Sequence, residues 1–402
     1  MPLQRLFLMP MNAVPCGLCP AVALRFSARL ALWMGMLFGA TGIARCEPTV
    51  LPRNIVGPQA ARAVESLSTP STIKRWAAAR KTVGRLSYRT LGLVINTADP
   101  YSLEVGAFYA KVRGLSPGQV LRIALPLKPS LTADEFARLG EQVRTHFGNN
   151  IQALALAWTL PYAVACNSIT SALTLGYDAQ LCSQTCAPSR LSPYFNAATA
   201  RPYSDLHLRP SMMLAARNVD QAKALILRGI ASDSTLGLRG APPVHAHFVV
   251  TADVARNVRA ASYPPAGPLK RVGIDIHVEA IHADQDLREV VLYLTGSPRV
   301  ANLGQVHWVP GALADHLTSS GGQLLEGGDQ MSVLQWIEAG ATASYGTVSE
   351  PCNHLQKFPH PQLLLQHYVQ GSTAIEAYWK SVAWPQQGVF VGEPLAAPFA
   401  RR

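Results

Sequence analysis

Apolar residues along this chain switch between two periods, and the switching predicts its elements. Leu91 to Ile95 form an unbroken apolar run that ends in polar Asn96 and Thr97, as a parallel strand covered on both faces does. The next stretch places Leu103, Val105, Phe108, Tyr109 and Val112 at helical spacing. "QVLRIALP" reads as a second strand, closed by Pro126. "TADEFARLGEQVRTHFG" reads as a helix with Thr132 as N-cap, because Glu135 follows at the spacing of a capping box. "IQALALAWTLPYAVA" is apolar enough to suggest a membrane segment. Pro161 and its shortness make it a central buried strand running into a loop instead, since a bilayer takes roughly 20 residues. The order β-α-β-α-β predicts a mostly parallel sheet with right-handed crossovers.

Residues 166–210 lose this rhythm and read as a long surface excursion rich in Ser, Pro and Tyr, positioned to cover a site. The rhythm returns with a helix at "NVDQAKALILRGIA" and a strand at "PVHAHFVVT". His245 and His247 alternate onto one face of that strand, which fits satisfied edge-strand histidines better than a metal site. "YPPAGPLK" is the clearest internal break. It separates an N-terminal α/β half, 86–262, from a C-terminal half, 263–402, that extends the same sheet. The second half reads as strands at "RVGIDIHVEAI", "EVVLYLTGS" and "TASYGTV", helices at "GDQMSVLQWIEAGA" and "PQLLLQHYVQGSTAIEAYWKSV", and the closing segment "GVFVGEPLAAPF".

Composition changes the picture at the N-terminus. Arg25 and Arg29 precede the apolar "LALWMGMLFGATGIA", and Gly42 and Ala44 form a small-residue cleavage site, so residues 1–44 read as an export signal. Residues 45–85 follow as a partly disordered leader with one helix around Ile73 to Lys81. Cleavage after Ala44 removes Arg5, Arg25 and Arg29 and no acid, lowering the formal charge from +11 to +8. The remaining basic residues are scattered, without a Lys/Arg block or interleaved aromatics, so nucleic acid is excluded as a partner and no stable membrane span is expected after signal removal. The product is expected in the periplasm or outside the cell. There the cysteines Cys46, Cys166, Cys182, Cys186 and Cys352 default to disulfides, with one left over. Cys182 and Cys186 are near enough to close a small loop. No CxxC pair repeats, and no cofactor is implied.

Candidate chemistry gathers at three predicted strand ends, where ligands bind in open parallel sheets. "VVLYLTGSPR" brings Thr295, Ser297 and Arg299, with Arg299 suited to a carboxylate or phosphate. "GALADHLTSSGG" brings Asp315, His316 and Ser319. "SYGTVSEPCNH" brings Glu350, Cys352 and His354. If these strands are neighbours, the three loops face one cleft. Cys352 is then either a nucleophile whose thiolate His316 or His354 favours, or a disulfide partner, with Cys166 as the candidate, or a small buried thiol. Asp315 either orients His316 or caps a helix. Asp315, His316, Glu350, Cys352 and His354 together could ligate a metal, but show no recognisable spacing motif.

From "LGLVINTADPYSLEVGAFYAKVRGL" through "PGALADHLTSSGG", "EAGATASYGTVSEPCN" and "KFPHPQLLLQHYVQGSTAIEAYWKSV" to "VGEPLAAPF", the chain resembles a family of exported bacterial proteins of unknown function. More distantly, it resembles the gingipain-like cysteine peptidases of the caspase-like clan. That resemblance implies a three-layer fold with a mostly parallel sheet flanked by helices, one strand ending in His-Gly, the next in the nucleophilic Cys, and a closing Gly-Asp-Pro element. "VVLYLTGS" corresponds to the first of these strands and Gly392-Glu393-Pro394 to the closing element. Thr295 stands where the His belongs, and "GALADHLTS" has no cysteine where the nucleophile belongs. A hydroxyl cannot replace an imidazole as a base near neutral pH. Two outcomes are expected. One is a cysteine-type peptidase or amidase with a relocated site, in which Cys352 attacks, His316 is the base, Glu350 orients and amides near Gly321-Gly322 hold an oxyanion. The other is a non-catalytic relative that binds a peptide, glycan or partner protein.

Overall fold

The structure is a computed structural model, and it describes residues 76–401 except 326 and 327. The expected export signal, most of the expected leader and Cys46 lie outside the described residues. Along the chain the strands are β1 (Leu91–Asn96), β2 (Val120–Ile123), β3 (Ser130–Leu131), β4 (Ala153–Leu156), β5 (Ala163–Val164), β6 (Asn167–Ser168) and β7 (Ser211–Met213). They continue as β8 (Val244–Val249), β9 (Gly267–Leu269), β10 (Ile274–Glu279), β11 (Leu287–Thr295), β12 (Val306–His316), β13 (Ala343–Thr347) and β14 (Gly388–Gly392). The α-helices are α1 (Pro100–Arg113), α2 (Ala133–His146), α3 (Ile169–Leu175), α4 (Gln180–Ser183), α5 (Pro202–Leu206), α6 (Val219–Ser232), α7 (Leu334–Ala339), α8 (Pro361–Val369) and α9 (Ala374–Ser381).

Eleven strands form one sheet in the order β2-β1-β4-β7-β14-β13-β12-β11-β8-β10-β9. Every pairing from β2 to β14 is parallel, β14 runs against β13, and the pairings from β13 to β10 are parallel again. Edge strand β9 is antiparallel to β10. The strands on either side of residues 263–270 therefore belong to one sheet. Alternation along each strand divides the core in two. Leu91, Leu93 and Ile95 of β1 face one cluster together with residues of α1, α6, α8 and α9. Val94 faces the other, with Phe136 of α2, Ile169 of α3 and Trp336 of α7. The result is a three-layer α/β arrangement, helices over both faces of a mostly parallel sheet.

Local chemistry explains most element ends. Asp99 accepts the Tyr101 N–H to start α1, which Gly114 closes in the left-handed region. Thr132 and Glu135 form the reciprocal capping box that starts α2. Three expectations are corrected. The helix expected around Ile73 to Lys81 is absent over Trp76–Lys81, which carry no regular secondary structure and whose backbone is bound by side-chain amides in place of helical bonds. Gln362 accepts the Ala77 N–H, Gln366 donates to the Ala77 carbonyl (2.8 Å), and Asn196 donates to that of Ala78 (3.0 Å). The long helix expected from Pro361 onward breaks into α8 and α9, because Gly371 turns at φ +95° and Thr373 with Glu376 starts a new capping box. The excursion at 166–210 is partly internal: α3 is buried and Ser171 donates to the Gly388 carbonyl of β14 at 3.0 Å.

Among the described residues, no helix is long and apolar enough to cross a membrane.

Candidate functional site

β11, β12 and β13 are adjacent and parallel, so the turns after Thr295, His316 and Thr347 do open at one rim of the sheet. Hydrogen bonds knit them together. The Glu350 N–H donates to the Ser319 carbonyl (3.1 Å), and the Thr347 hydroxyl donates to the carbonyls of Thr318 (3.0 Å) and Ser319 (3.1 Å). The loop after β8 joins from the other side. Its Ala255 carbonyl accepts from the Asn353 side chain (2.8 Å), and its Arg256 Nε donates to the Thr318 hydroxyl (3.2 Å). Gly296 makes that crossing possible, since a Cβ there would lie 2.0 Å from the Arg256 carbonyl oxygen.

The rim is shared, but the expected catalytic groups do not work together on it. Cys352 is bonded to Cys186, with Cα atoms 5.6 Å apart, so it has no thiolate to attack with. Cys166 pairs with Cys182 (Cα–Cα 5.2 Å), which also replaces the small Cys182–Cys186 loop expected from spacing. Asp315 and His316 are consecutive residues of β12, and a strand sends consecutive side chains to opposite faces. Asp315 goes to the α8/α9 side, where it pairs with Arg259, both side chains being almost fully buried. Burial pushes its carboxyl up to about 6 against the pull of the guanidinium. It neither orients His316 nor caps a helix.

His316 goes to the other face and is fully committed. Its Nδ1 accepts the Trp336 indole N–H (2.9 Å), which leaves the proton on Nε2, donated to the Met331 carbonyl (2.9 Å). Burial, with Arg259 and Arg256 adding repulsion, lowers its pKa to about 4. A base in this position has no free lone pair. Glu350 is wholly buried and holds the turn: its carboxylate accepts the backbone N–H groups of Cys352 (3.0 Å) and Asn353 (2.7 Å), with Lys357 Nζ at 3.6 Å. That bracing lets Asn353 adopt φ +54°, a left-handed conformation asparagine tolerates. His354 stands partly exposed, its ring edge-on to Trp384 at 6.1 Å. The Gly322 N–H, expected to help hold an oxyanion, donates to the Thr347 carbonyl at 2.9 Å.

The expected binding residues divide differently. Thr295, Ser297 and Arg299 line one small cavity of about 180 Å³ beyond the ends of β8 and β11, shared with Val249, Tyr293 and His282. Arg299 is exposed and donates to the Gly328 carbonyl (2.6 Å). Ser319 does not line it, and its carbonyl serves the loop contacts described above. The closing Gly392-Glu393-Pro394 is a clamp: Arg113 of α1 grips the Glu393 carboxylate through Nε (3.0 Å) and a second nitrogen (2.7 Å), and the Tyr109 hydroxyl adds a bond at 2.8 Å.

What the sequence reading passed over is "DIHVE" on β10. Asp275, His277 and Glu279 alternate there, and the parallel register sets them beside His245, His247 and Val249 of β8. Two facing strands that each carry polar residues at every second position were the available signal. Compared with family models, with curated proteins and with solved structures, the chain matches none.

Proposed function

We propose that this chain is an exported, non-catalytic binding protein, a caspase/gingipain-like scaffold that has lost the His/Cys dyad and captures the end of a peptide or protein segment. One observation carries the reading. The two groups expected to attack and to take the proton, Cys352 and His316, are both consumed structurally, while the neighbouring cavity retains an exposed guanidinium. A cysteine hydrolase would need the Cys186–Cys352 bond broken and His316 freed from Trp336.

The cavity sets the scale of what binds. At about 180 Å³ it is smaller than the roughly 300–1,000 Å³ usual for whole small-molecule sites, so it suits one side chain or a chain terminus. Arg299 supplies a planar donor fork for a carboxylate, and Val249 and Tyr293 supply apolar walls. The test is a fluorescence-polarisation comparison of labelled tetrapeptide mixtures with free and amidated C-termini. The free-acid mixture should bind about 10-fold better, the preference should vanish in Arg299→Ala, and no peptide should be cleaved. Cleavage abolished by iodoacetamide, or equal binding of both mixtures, would reject the reading.

A further inference from the structure

A second cavity opens on the face of the sheet that α2 and α3 cover, at the amino end of β7. It holds about 320 Å³, inside the roughly 300–1,000 Å³ usual for small-molecule sites, a range the Arg299 cavity does not reach. Phe136 and Val143 of α2 and Ala172 and Leu173 of α3 give it apolar walls, and Tyr203 and Arg209 give it a polar one. No Asp or Glu is among its lining residues.

Arg209 is only 7% exposed, and its guanidinium is fixed from several sides. Nε donates to the Ile151 carbonyl (3.0 Å), and Nη2 donates to those of Phe147 (2.9 Å) and Gly148 (3.1 Å), which leaves Nη1 outside this set. The guanidinium carbon lies 3.5 Å from the centre of the Tyr203 ring. Tyr203 is held in turn by Gln152, whose side-chain oxygen accepts the backbone N–H groups of Tyr203 and Ser204, each at 3.1 Å. What the guanidinium lacks is a counter-charge. Arg113 and Arg259 are each met by a carboxylate, from Glu393 and from Asp315, but among the described residues no carboxylate meets Arg209. Arg144, beside it in the cavity lining, is already neutralised by Glu141. Burial accordingly pushes the Arg209 pKa down, with only Tyr203 acting against it. A buried charge in this state is costly until an opposite charge joins it.

We propose that this cavity binds a small monocarboxylate with an apolar body, its carboxylate on Arg209 and its body between α2 and α3. The charge count sets the head group. One buried guanidinium without an acid balances one negative charge, so a carboxylate suits it better than a phosphate dianion, and the bond it makes is charge-assisted. The lining sets the rest of the ligand, because Phe136, Val143 and Ala172 are buried and favour hydrocarbon over water. Gly140, between Phe136 and Val143 on α2, keeps the space open: a Cβ there would meet only the Arg144 Nη1, at 3.3 Å, the far end of a flexible side chain. The cavity shares no lining residue with the Arg299 cavity, so the proposal stands whether or not that one binds peptides.

The test titrates sodium octanoate into the full chain by calorimetry, with 1-octanol and sodium acetate in parallel titrations. Octanoate should bind at one site and at least 10-fold more tightly than either, since octanol lacks the charge and acetate lacks the apolar body. Gly140→Leu fills the space between the helices and raises helix propensity. It should weaken octanoate binding at least 10-fold while the unfolding midpoint stays level or rises. Arg209→Met should bring octanoate down to the affinity of octanol, and where that variant does not fold, Gly140→Leu decides. Arg299→Ala should bind octanoate as the wild type does. Equal affinity for octanoate and octanol, no saturable octanoate binding, wild-type octanoate affinity in Gly140→Leu, or loss of binding in Arg299→Ala would overturn the assignment.

Discussion

Replacing Cys352 by serine separates the two readings of the rim more cleanly than an activity assay does. The Cys186–Cys352 bond closes a loop with a sequence separation of 166. In the chain-entropy account, that restriction of the unfolded ensemble is worth about 5 kcal/mol, and measured losses of native disulfides fall at about 2–5 kcal/mol. Cys352→Ser should therefore lower unfolding free energy by that amount in urea under non-reducing conditions. Cys186→Ser should do the same, and the double variant should be no worse than either single one, since all three lack the same bond. The m-value should rise in all three, because the unfolded chain is less constrained and exposes more surface. A free catalytic thiol predicts a different table: Cys186→Ser would be close to neutral, and Cys352 would alkylate in the folded protein without reductant. Additive losses, or a silent Cys186→Ser, would refute the structural account of this loop.

Other outcomes follow from buried charge and from the irregular segment before β1. The His316 ring should stay neutral, protonated on Nε2, from pH 8 down to near its value of about 4, as read by nitrogen chemical shifts; titration near 6.5 would mean the Trp336 bond is not made. Its folded pKa is depressed, so its contribution to stability is complete above pH 6.5 and is lost as pH falls toward 4, while Asp315, raised to about 6, contributes below its ordinary value and loses that contribution as pH rises through 6. Asp315→Ala should cost about 3–5 kcal/mol in denaturant by stranding the Arg259 guanidinium, and Arg259→Met with Asp315→Leu should restore much of it. Replacing Gln362, Gln366 and Gln370 by alanine removes side-chain bonds to Ala77, Ala79 and Thr82. Limited proteolysis should then cut between Trp76 and Leu86 well before the rest of the domain, at a stability cost of about 1 kcal/mol per bond lost.

Much of this architecture is legible in the residues because local and global signals agree. The apolar run at Leu91–Ile95, the capping box at Thr132 and the alternation at "PVHAHFVVT" each became the element they suggest. The failures have identifiable causes. Residues 76–81 have helical composition, but their backbone is taken by side chains some 120 to 290 residues away, which no local pattern encodes. "GALADHLTS" looks like a loop carrying chemistry because Asp315 and His316 are polar, yet β12 continues to His316 and splits the two between faces. The acid-thiol-imidazole group at Glu350, Cys352 and His354 is close in sequence for a structural reason: a buried carboxylate braces the turn that delivers Cys352 to Cys186. Spacing alone cannot tell such a brace from a catalytic group. The partner that decides it, Cys186, lies in the segment with the weakest periodicity.

The reversal of direction between β14 and β13 gives the molecule two unlike poles. Strands β1, β2, β4, β7 and β14 discharge their following loops at one end, while β8 and β10–β13 discharge theirs at the other. A strand of five or six residues sets those ends about 20 Å apart. Anything held at the first pole, beyond Asn96 and Ala157, would thus be kept at a fixed distance from anything held near Arg299 at the other, by a rigid slab instead of a flexible tether.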